Sequence, residues 1–354
     1  MPVIKIRNLQ ANIALCMNIP FRTTLGPSPS SSPITHAHQL ILLGSCFTEH
    51  IGHKLAERKF NALTNPFGIV YNPLSMAQCL ERLVDGNQAF TQEELFENAG
   101  LWHSWEHHGR FSKPDKNETL DSINLAYHQA SEHLKKTDIL LLTFGTSDLF
   151  TLRETGKVVA NNHKMPAALF APRRLSVSEI VERSVQAIKS VAHLHGVPHF
   201  KVILTVSPVR HLRNGLVENQ RSKAALLLAC EEICAQLDYA QYFPAYELLL
   251  DDLRDYRFYA ADMVHPSDVA VDYVWQFFSD TFFAEKTRRL NERIEKIRAA
   301  AQHRPFHTNT AQYRAFAQVQ MEAIANLKLE MPDLDFSKEE ALFYSPIAIG
   351  ISSS

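Results

Sequence analysis

Two short segments carry the residue types that nucleophilic catalysis requires. Ser45 lies between a compact apolar run and a segment with helical spacing. A serine at such a strand-to-helix turn exposes its hydroxyl at the sheet edge, where the helix amides and dipole favour a developing anion. Asp262 precedes His265 by three residues, close enough for the carboxylate to orient the imidazole. In the chain order Ser, Asp, His, the two segments together indicate a serine nucleophile with His265 as its base.

Each segment also has a simpler explanation. Ser45 alone is more typical of a helix N-cap than of a nucleophile, and an isolated D-x-x-H is more typical of a surface loop before a helix than of a catalytic pair. Cys46 is an alternative nucleophile, because a thiolate at a helix N-terminus is activated. Adjacent residues at a sharp turn point in different directions, so Ser45 and Cys46 are competing assignments.

Further polar residues are candidates for binding a substrate. Arg210 and His211 follow a strand end, where open α/β sheets bind ligands, and they suit an anionic or polyhydroxyl group; a solvated, salt-bridged loop is the alternative. His107 and His108 lie in a histidine-rich stretch with His103. Their spacing resembles a metal site but lacks a set of carboxylates, so we expect a polar lid over the active site and neither a metal nor a cofactor.

Composition narrows the class of protein. The chain has 354 residues, 45% of them hydrophobic, which is enough for a full core. A net charge of −2, with both signs interspersed, predicts neither a nucleic-acid nor a membrane partner. The five cysteines form no C-x-x-C pair and the N-terminal stretch has no sustained apolar region, so we expect a cytoplasmic protein without a signal peptide.

Apolar runs of strand length alternate with segments of helical spacing. The predicted strands span 39–43, 67–71, 139–144, 202–206 and 241–246. A helix over 177–195 is marked by a Ser176–Glu179 capping box, with Gly196 and Pro198 beyond its end, and a second helix follows a cap at Ser267. This alternation predicts a three-layer α/β/α fold with a parallel sheet.

Three regions are expected along the chain. Residues 1–36 form an N-terminal segment whose Pro/Ser-rich part, 26–36, is predicted to be a loop or disordered connector. Residues 37–282 form the α/β domain, with inserted loops at 86–120 and 151–175 and a short hairpin at 151–161. Residues 283–345 are charge-rich and predict a C-terminal helical hairpin.

Several motifs resemble the GSCFA-domain family. GSCF at 44–47 and NPFGIVYNP at 65–73 are similar to the opening of that family, although Thr48 stands where the family name has alanine. The resemblance continues through LWHSWEHHGRFSKPD (101–115), ETGKVVANNHK (154–164), SPVRHL (207–212), VENQRSKA (217–224) and DYRFYAADMVHP (255–266). It implies an SGNH-hydrolase-like fold, related in layout to flavodoxin, and it favours Ser45 over Cys46.

The resemblance also implies roles for individual residues. Ser45 matches the nucleophile, the Ser45 and Gly68 amides match oxyanion donors, and Asp262 with His265 matches the catalytic pair. A G-x-N-D block is expected to supply a third donor, but this chain has serine at the asparagine position, in Gly145-Thr146-Ser147-Asp148. The candidates to replace that donor are Thr146, Asn161 and Asn162, and we expect His163 beside them to contact substrate.

The sequence therefore predicts a serine-dependent ester hydrolase that acts on a small-molecule or carbohydrate ester, with an acyl group as small as acetyl. Two alternatives remain open. The same site would serve an O-acyltransferase with a sugar or other hydroxyl acceptor, because hydrolysis and transfer differ only in how well water is excluded. A catalytically weak module that binds a carbohydrate or acyl ligand is favoured by the absent asparagine.

Overall fold

The computed structural model describes residues 22–195, 200–303 and 310–351. Its central sheet contains five parallel strands in the order β10-β9-β5-β1-β2. These strands are β1 (Gln39–Gly44), β2 (Asn61–Thr64), β5 (Ile139–Phe144), β9 (Lys201–Val206) and β10 (Ala240–Phe243). Because all five are parallel, their carboxyl ends share one edge of the sheet.

Helices cover both faces of this sheet. Along β1, Leu40 and Leu42 pack into one buried cluster, whereas Ile41 and Leu43 pack into another on the opposite face. The first cluster is closed by α1 (Cys46–Glu57) and α6 (Asp268–Phe282). The second is closed by α2 (Pro73–Asp85), α3 (Lys116–Leu134), α4 (Val177–His195) and α5 (Leu216–Gln236). The predicted three-layer α/β/α class is confirmed.

Two small antiparallel sheets are inserted into this framework. The strands β3 (Leu95–Asn98) and β4 (Leu101–Ser104) pair within the region predicted as a long loop at 86–120, where α3 also begins. The strands β6 (Asp148–Leu152), β7 (Val158–Val159) and β8 (Phe170–Arg174) form a second sheet. The hairpin predicted at 151–161 is thus confirmed as β6–β7, whereas the sequence did not predict β8.

The strand predicted at 67–71 is wrong, because β1 pairs instead with Asn61–Thr64. Pro66 lacks an N–H for a sheet ladder, and Gly68 has a φ of 82°, so the backbone turns here. Phe67 and Val70 are nevertheless buried, which explains the apolar run. Burial without a strand gives the same local pattern as burial within one.

The Pro/Ser-rich connector is an ordered loop, which is the first of its two predicted alternatives. The Ser30 and Ile34 amides donate 2.7 Å hydrogen bonds to the Thr281 and Phe282 carbonyl oxygens, and Ile34 is buried. The connector therefore packs on the end of α6. Residues 1–21, which include most of the predicted N-terminal segment, lie outside the described residues.

Two predicted helix starts are confirmed. Ser176 and Glu179 form the reciprocal capping box at α4, and the Ser267 side chain accepts from the Ala270 amide at the start of α6. Gly196 and Pro198, which were expected to end α4, lie outside the described residues.

The C-terminal region contains the predicted helical pair and one further helix. It comprises α7 (Glu285–Gln302), α8 (Ala311–Glu330) and α9 (Ser337–Ile351), which share a small apolar core of their own. None of the helices in the described part of the chain combines the length and apolar character needed to cross a membrane.

Candidate active site

Ser45 is the N-cap of α1 at the carboxyl end of β1. Its side chain is buried, and its Oγ accepts a 3.3 Å hydrogen bond from the Phe47 amide. The preceding Gly44 is required for packing, because a Cβ there would lie 2.7 Å from Thr143 of the neighbouring strand. The capping role is therefore real, and it fixes the hydroxyl at the positive end of a helix.

The ends of three adjacent strands converge on this serine. Ser45 Oγ donates a 2.9 Å hydrogen bond to the Oγ of Ser207, which follows β9. Gly145 follows the intervening strand β5, and a Cβ at this position would lie 3.6 Å from Ser45 Cβ. Ser45 thus lies at the end of β1, and its hydroxyl reaches across the end of β5 to Ser207.

Asp262 and His265 form a tightly held pair. The His265 Nδ1 lies 2.6 Å from Asp262 Oδ2, while Asp262 Oδ1 accepts from the Val264 and His265 amides at 2.9 and 3.0 Å. Met263 adopts a φ of 57° to allow this turn. The His265 amide, followed by its side chain and the Val264 amide, lowers the pKa of Asp262 to about 2. The carboxylate is therefore ionised at neutral pH and orients the imidazole.

This pair lies on the same edge of the molecule as Ser45. The Arg210 amide donates to the Val264 carbonyl oxygen at 3.1 Å, which ties the Asp262–His265 turn to the loop that follows Ser207. Burial lowers the pKa of His50 on α1, and the nearby His265 adds to that effect. Within the described residues, His265 Nε2 has no hydrogen-bond partner, and Ser45 is bonded to Ser207 rather than to His265.

Two of the candidate oxyanion donors, Gly68 and Thr146, have local partners. The Gly68 amide donates to the Asn65 carbonyl oxygen at 2.7 Å, and a Cβ at Gly68 would lie 2.2 Å from His108 Cβ. The Thr146 hydroxyl is 3.0 Å from Ser222 Oγ and accepts from the Asp148 amide. Their participation in an oxyanion hole stays a prediction.

The two asparagines of the inserted loop are likewise engaged in turns. Asn161 Oδ1 accepts from the His163 amide at 2.9 Å, and Asn162 Oδ1 accepts from the Lys164 amide at 3.3 Å. Within the described residues, no hydrogen bond joins either side chain to Ser45, and their role as oxyanion donors stays a prediction.

The histidine-rich stretch packs inside the protein. His107 is buried among the rings of Phe67, Phe90 and Phe111, and burial lowers its pKa to about 3. His163 is buried too, with Nε2 2.7 Å from the Ser104 carbonyl oxygen and a pKa lowered by burial to about 4. These two imidazoles stabilise the inserted strands instead of forming a polar lid surface.

Other candidate binding residues lie closer to the Asp262–His265 pair. Arg210 stacks on Tyr259, with its guanidinium carbon 3.9 Å from the ring centre. His211 packs edge-on against Tyr71 at 5.5 Å, and burial lowers its pKa. His108, in contrast, caps a short 3-10 helix by accepting from the Arg110 amide. Arg210 and His211 are therefore the binding candidates best placed beside the Ser45 edge.

The environment of Cys46 does not activate a thiolate. Burial raises the pKa of the Cys46 thiol, and this effect exceeds the opposing effect of its hydrogen bond with Tyr71. A thiol that is harder to ionise is a poorer nucleophile near neutral pH. This observation favours Ser45 over Cys46.

Sequence reasoning missed two buried residues of this site. Ser207 contacts Ser45 directly, and the ammonium of Lys223 on α5 binds the carbonyl oxygens of Gly145 and Ser207. Both lie in blocks that carried the family resemblance, SPVRHL and VENQRSKA, but neither position has a local pattern that announces a role.

Comparison with protein families is consistent with this geometry. The model of the GSCFA family matches residues 39–278, and that of the GSCFA domain protein, C-terminal domain, matches residues 294–348. The chain belongs to the GSCFA family. The first match includes Ser45, Asp262 and His265, and the second covers most of α7 to α9. A search of curated proteins finds no match.

Proposed function

We propose that this protein is a serine-dependent ester hydrolase with Ser45 as nucleophile, His265 as general base and Asp262 as the group that orients His265. The observation that carries the proposal is the 2.6 Å Asp262–His265 pair, whose Nε2 is unengaged within the described residues, at the same sheet edge as the helix-capping Ser45. An SGNH-type esterase is the enzyme class that this arrangement fits best.

The proposed reaction uses the same three side chains to form the acyl-enzyme and then to hydrolyse it. Ser45 Oγ attacks the ester carbonyl carbon while its proton passes to His265 Nε2, and Asp262 stabilises the resulting imidazolium. The Ser45 amide and the positive end of α1 stabilise the oxyanion. As the tetrahedral intermediate collapses, the imidazolium gives its proton to the departing alcohol. A water molecule then attacks the acyl-serine by the same route and releases the acid.

The cysteines support a reducing compartment for this enzyme. Within the described residues, Cys46, Cys79, Cys230 and Cys234 are free thiols. Free buried cysteines are typical of proteins kept under reducing conditions, so we propose a cytoplasmic location.

Acyl transfer to a hydroxyl acceptor is the second candidate, and the burial of Ser45 favours it. Ser45 is 1% exposed, and a site with little access to water protects an acyl-enzyme from hydrolysis. Product analysis with and without a sugar acceptor separates the two reactions. A purely binding role would leave both reactions undetectable.

Turnover of short-chain p-nitrophenyl esters tests the proposal. Ser45→Ala is expected to abolish turnover and to cost about 1–2 kcal/mol of stability, the range of a lost helix cap and one hydrogen bond. Thr310→Ala is the matched control, because Thr310 caps α8 in the same way, by accepting from the Tyr313 amide at 3.1 Å. It is expected to lose similar stability and retain full activity.

Cys46→Ala distinguishes the two neighbouring nucleophiles. Under the proposal, this variant keeps most of its activity, since the thiol takes no part in the reaction. Active Ser45→Ala together with inactive Cys46→Ala would transfer the role to the thiol and contradict the proposal.

A further inference from the structure

Lys223 is a buried cation directly behind the candidate active site. It is 1% exposed, and its Nζ donates to the Gly145 and Ser207 carbonyl oxygens at 2.6 and 2.7 Å. Gly145 follows β5 and Ser207 follows β9. A single ammonium group thus joins the end of β5, the neighbour of β1, to the end of β9, from which Ser207 contacts Ser45.

Ser207 links this cation to the nucleophile. Its carbonyl oxygen binds Lys223, whereas its Oγ receives the Ser45 hydroxyl at 2.9 Å and the Val209 amide at 3.3 Å. Rotation of the two hydroxyl protons, without movement of the oxygen atoms, reverses the bond, so that Ser207 donates to Ser45 Oγ. That orientation frees the Ser45 proton for His265 and stabilises negative charge on Ser45 Oγ.

Lys223 has no paired carboxylate among the described residues. Of the groups packed around it, Tyr246 presents its ring with the centre 5.8 Å from Nζ, and His211 has a pKa lowered by burial and then by Lys223. Asp148, the acidic residue on that side, is bound to Arg174 at 2.8 Å. Burial alone lowers the pKa of Lys223 to about 7, so its charge changes within the working range of pH.

A clamp between two carbonyl groups does not itself require a charge. A neutral donor would satisfy both oxygens without the desolvation cost of a buried ammonium. Buried groups with strongly perturbed ionisation are concentrated at functional sites. The Lys223 ammonium binds the carbonyl oxygen of Ser207, the same residue whose Oγ bonds to Ser45.

We propose that Lys223 is a positioning residue for the reaction at Ser45: through the Ser207 and Gly145 carbonyl groups it holds Ser207 Oγ against Ser45 Oγ, and its positive charge stabilises the oxyanion. This inference rests on the proposed function. It adds a cation to the site beyond the Ser45, Asp262 and His265 set.

The rate of Ser45 labelling by a fluorophosphonate, followed from pH 5.5 to 9 in the full chain, tests the inference. The wild-type rate is expected to decline at alkaline pH as Lys223 becomes neutral. Lys223→Met should slow labelling at pH 6.5 by about 10-fold or more, the effect of one charge acting over several Å at an effective dielectric constant near 20. This variant should also lack the alkaline decline.

Two further variants separate charge from packing. Ser207→Ala retains the carbonyl group that Lys223 binds, so it should label more slowly but keep the alkaline decline. Arg221→Met removes an exposed cation from the same helix, one that pairs with Glu218, and should match wild type throughout.

Each outcome bears on the inference. If Lys223→Met is labelled at the wild-type rate with an unchanged pH profile, the inference is overturned. It is also overturned if labelling of the wild-type protein does not decline at alkaline pH. This second measurement does not require Lys223→Met to fold. If the wild-type protein is labelled at Ser45 and Lys223→Met is labelled at the same rate, the inference fails but the proposed function stands. If wild type is not labelled at Ser45, the proposed function fails and the inference fails with it.

Discussion

At the scale of single residues, Asp262 illustrates how a short sequence spacing fixes the geometry of a carboxylate–imidazole pair. One carboxylate oxygen accepts two backbone amides of its own turn, which leaves the other oxygen to hold the His265 imidazole. The three-residue spacing is what places these acceptors and donors together. The pairing of Asp262 with His265 was therefore predictable from sequence, and the structure confirms that the two side chains meet.

Asp262→Asn tests the orienting role. The amide oxygen can still accept from the Val264 and His265 backbone, so the turn should remain folded, but the neutral side chain no longer stabilises imidazolium. We expect kcat for ester turnover to fall by up to about 10⁴-fold with little change in melting temperature. Asp272→Asn, which removes an exposed carboxylate from α6, serves as the control. Full activity in Asp262→Asn would show that the pair has no catalytic role.

Ser207 and Lys223 show the limit of local patterns. Ser207 lies 162 residues from the serine it binds, and Lys223 lies on a helix whose other polar residues are mostly exposed. Nothing in the spacing of either residue distinguishes it from an ordinary strand-end serine or helical lysine. Only the parallel sheet order, in which β5 lies between β1 and β9, brings them to Ser45.

At the scale of elements, the edge strand β2 was the one that sequence reasoning misplaced. Asn61–Thr64 is short and only partly buried, so it carries little apolar signal. The stronger apolar run that follows is buried as a turn, with Gly68 against His108. A strand at the sheet edge can be specified by its pairing partner, and pairing is not visible in the strand's own residues.

The loops that follow β4 and β7 contain two buried histidines that make stability depend on pH. His107 and His163 have pKa values of about 3 and 4, below the roughly 6.5 of an unfolded imidazole. Because the unfolded chain binds protons that the folded chain does not, stability is lost as pH falls below about 6.5. Lowering the pH from 7 to 5 should therefore reduce the free energy of unfolding by about 2 kcal/mol for each histidine.

Urea denaturation at pH 7 and pH 5 measures this effect. His107→Gln removes the titrating group and can retain a hydrogen bond to Ser104. The free energy of unfolding of this variant, compared with that of wild type, should therefore be about 2 kcal/mol more favourable at pH 5 than at pH 7. His163→Gln should behave in the same way. A stability difference that does not change with pH would contradict the burial of a neutral imidazole.

At the scale of the whole molecule, ion pairs connect the C-terminal helices to the α/β domain. Lys59 Nζ lies 2.7 and 2.9 Å from the two Glu339 carboxylate oxygens, with both side chains largely buried, and it also lies 5.2 Å from the centre of the Phe336 ring. Arg58 pairs with Glu295 at 2.9 Å and stacks on Trp275. The interface is thus formed by specific pairs as well as by apolar packing.

Glu339→Gln is expected to destabilise the protein by about 2–3 kcal/mol, because it leaves the Lys59 ammonium without its charged partner. Glu330→Gln is the matched control, since Glu330 pairs with Arg293 through two side chains that are about half exposed. This second variant should leave stability nearly unchanged. Equal melting temperatures for the two variants would show that the Lys59–Glu339 contact does not stabilise the interface.

The three-layer class was predictable because it depends on a pattern that runs along the whole chain. Buried parallel strands appear as short continuous apolar runs, as in Ile139–Phe144, and the intervening helices carry recognisable caps. The third C-terminal helix and the docking of all three helices were not predictable. Both depend on contacts with partners that are distant in sequence, such as Lys59 with Glu339.

Peptide mapping by mass spectrometry, after reaction of the folded protein with a fluorophosphonate, shows whether Ser45 is the nucleophile. We expect a single covalent adduct on the Ser45 hydroxyl, formed at least 100-fold more slowly in His265→Ala, because a helix-capping serine without its base is not nucleophilic (roughly the 10²–10⁴-fold contribution of a general base). No adduct at Ser45, or an adduct that forms equally fast in His265→Ala, would contradict this expectation.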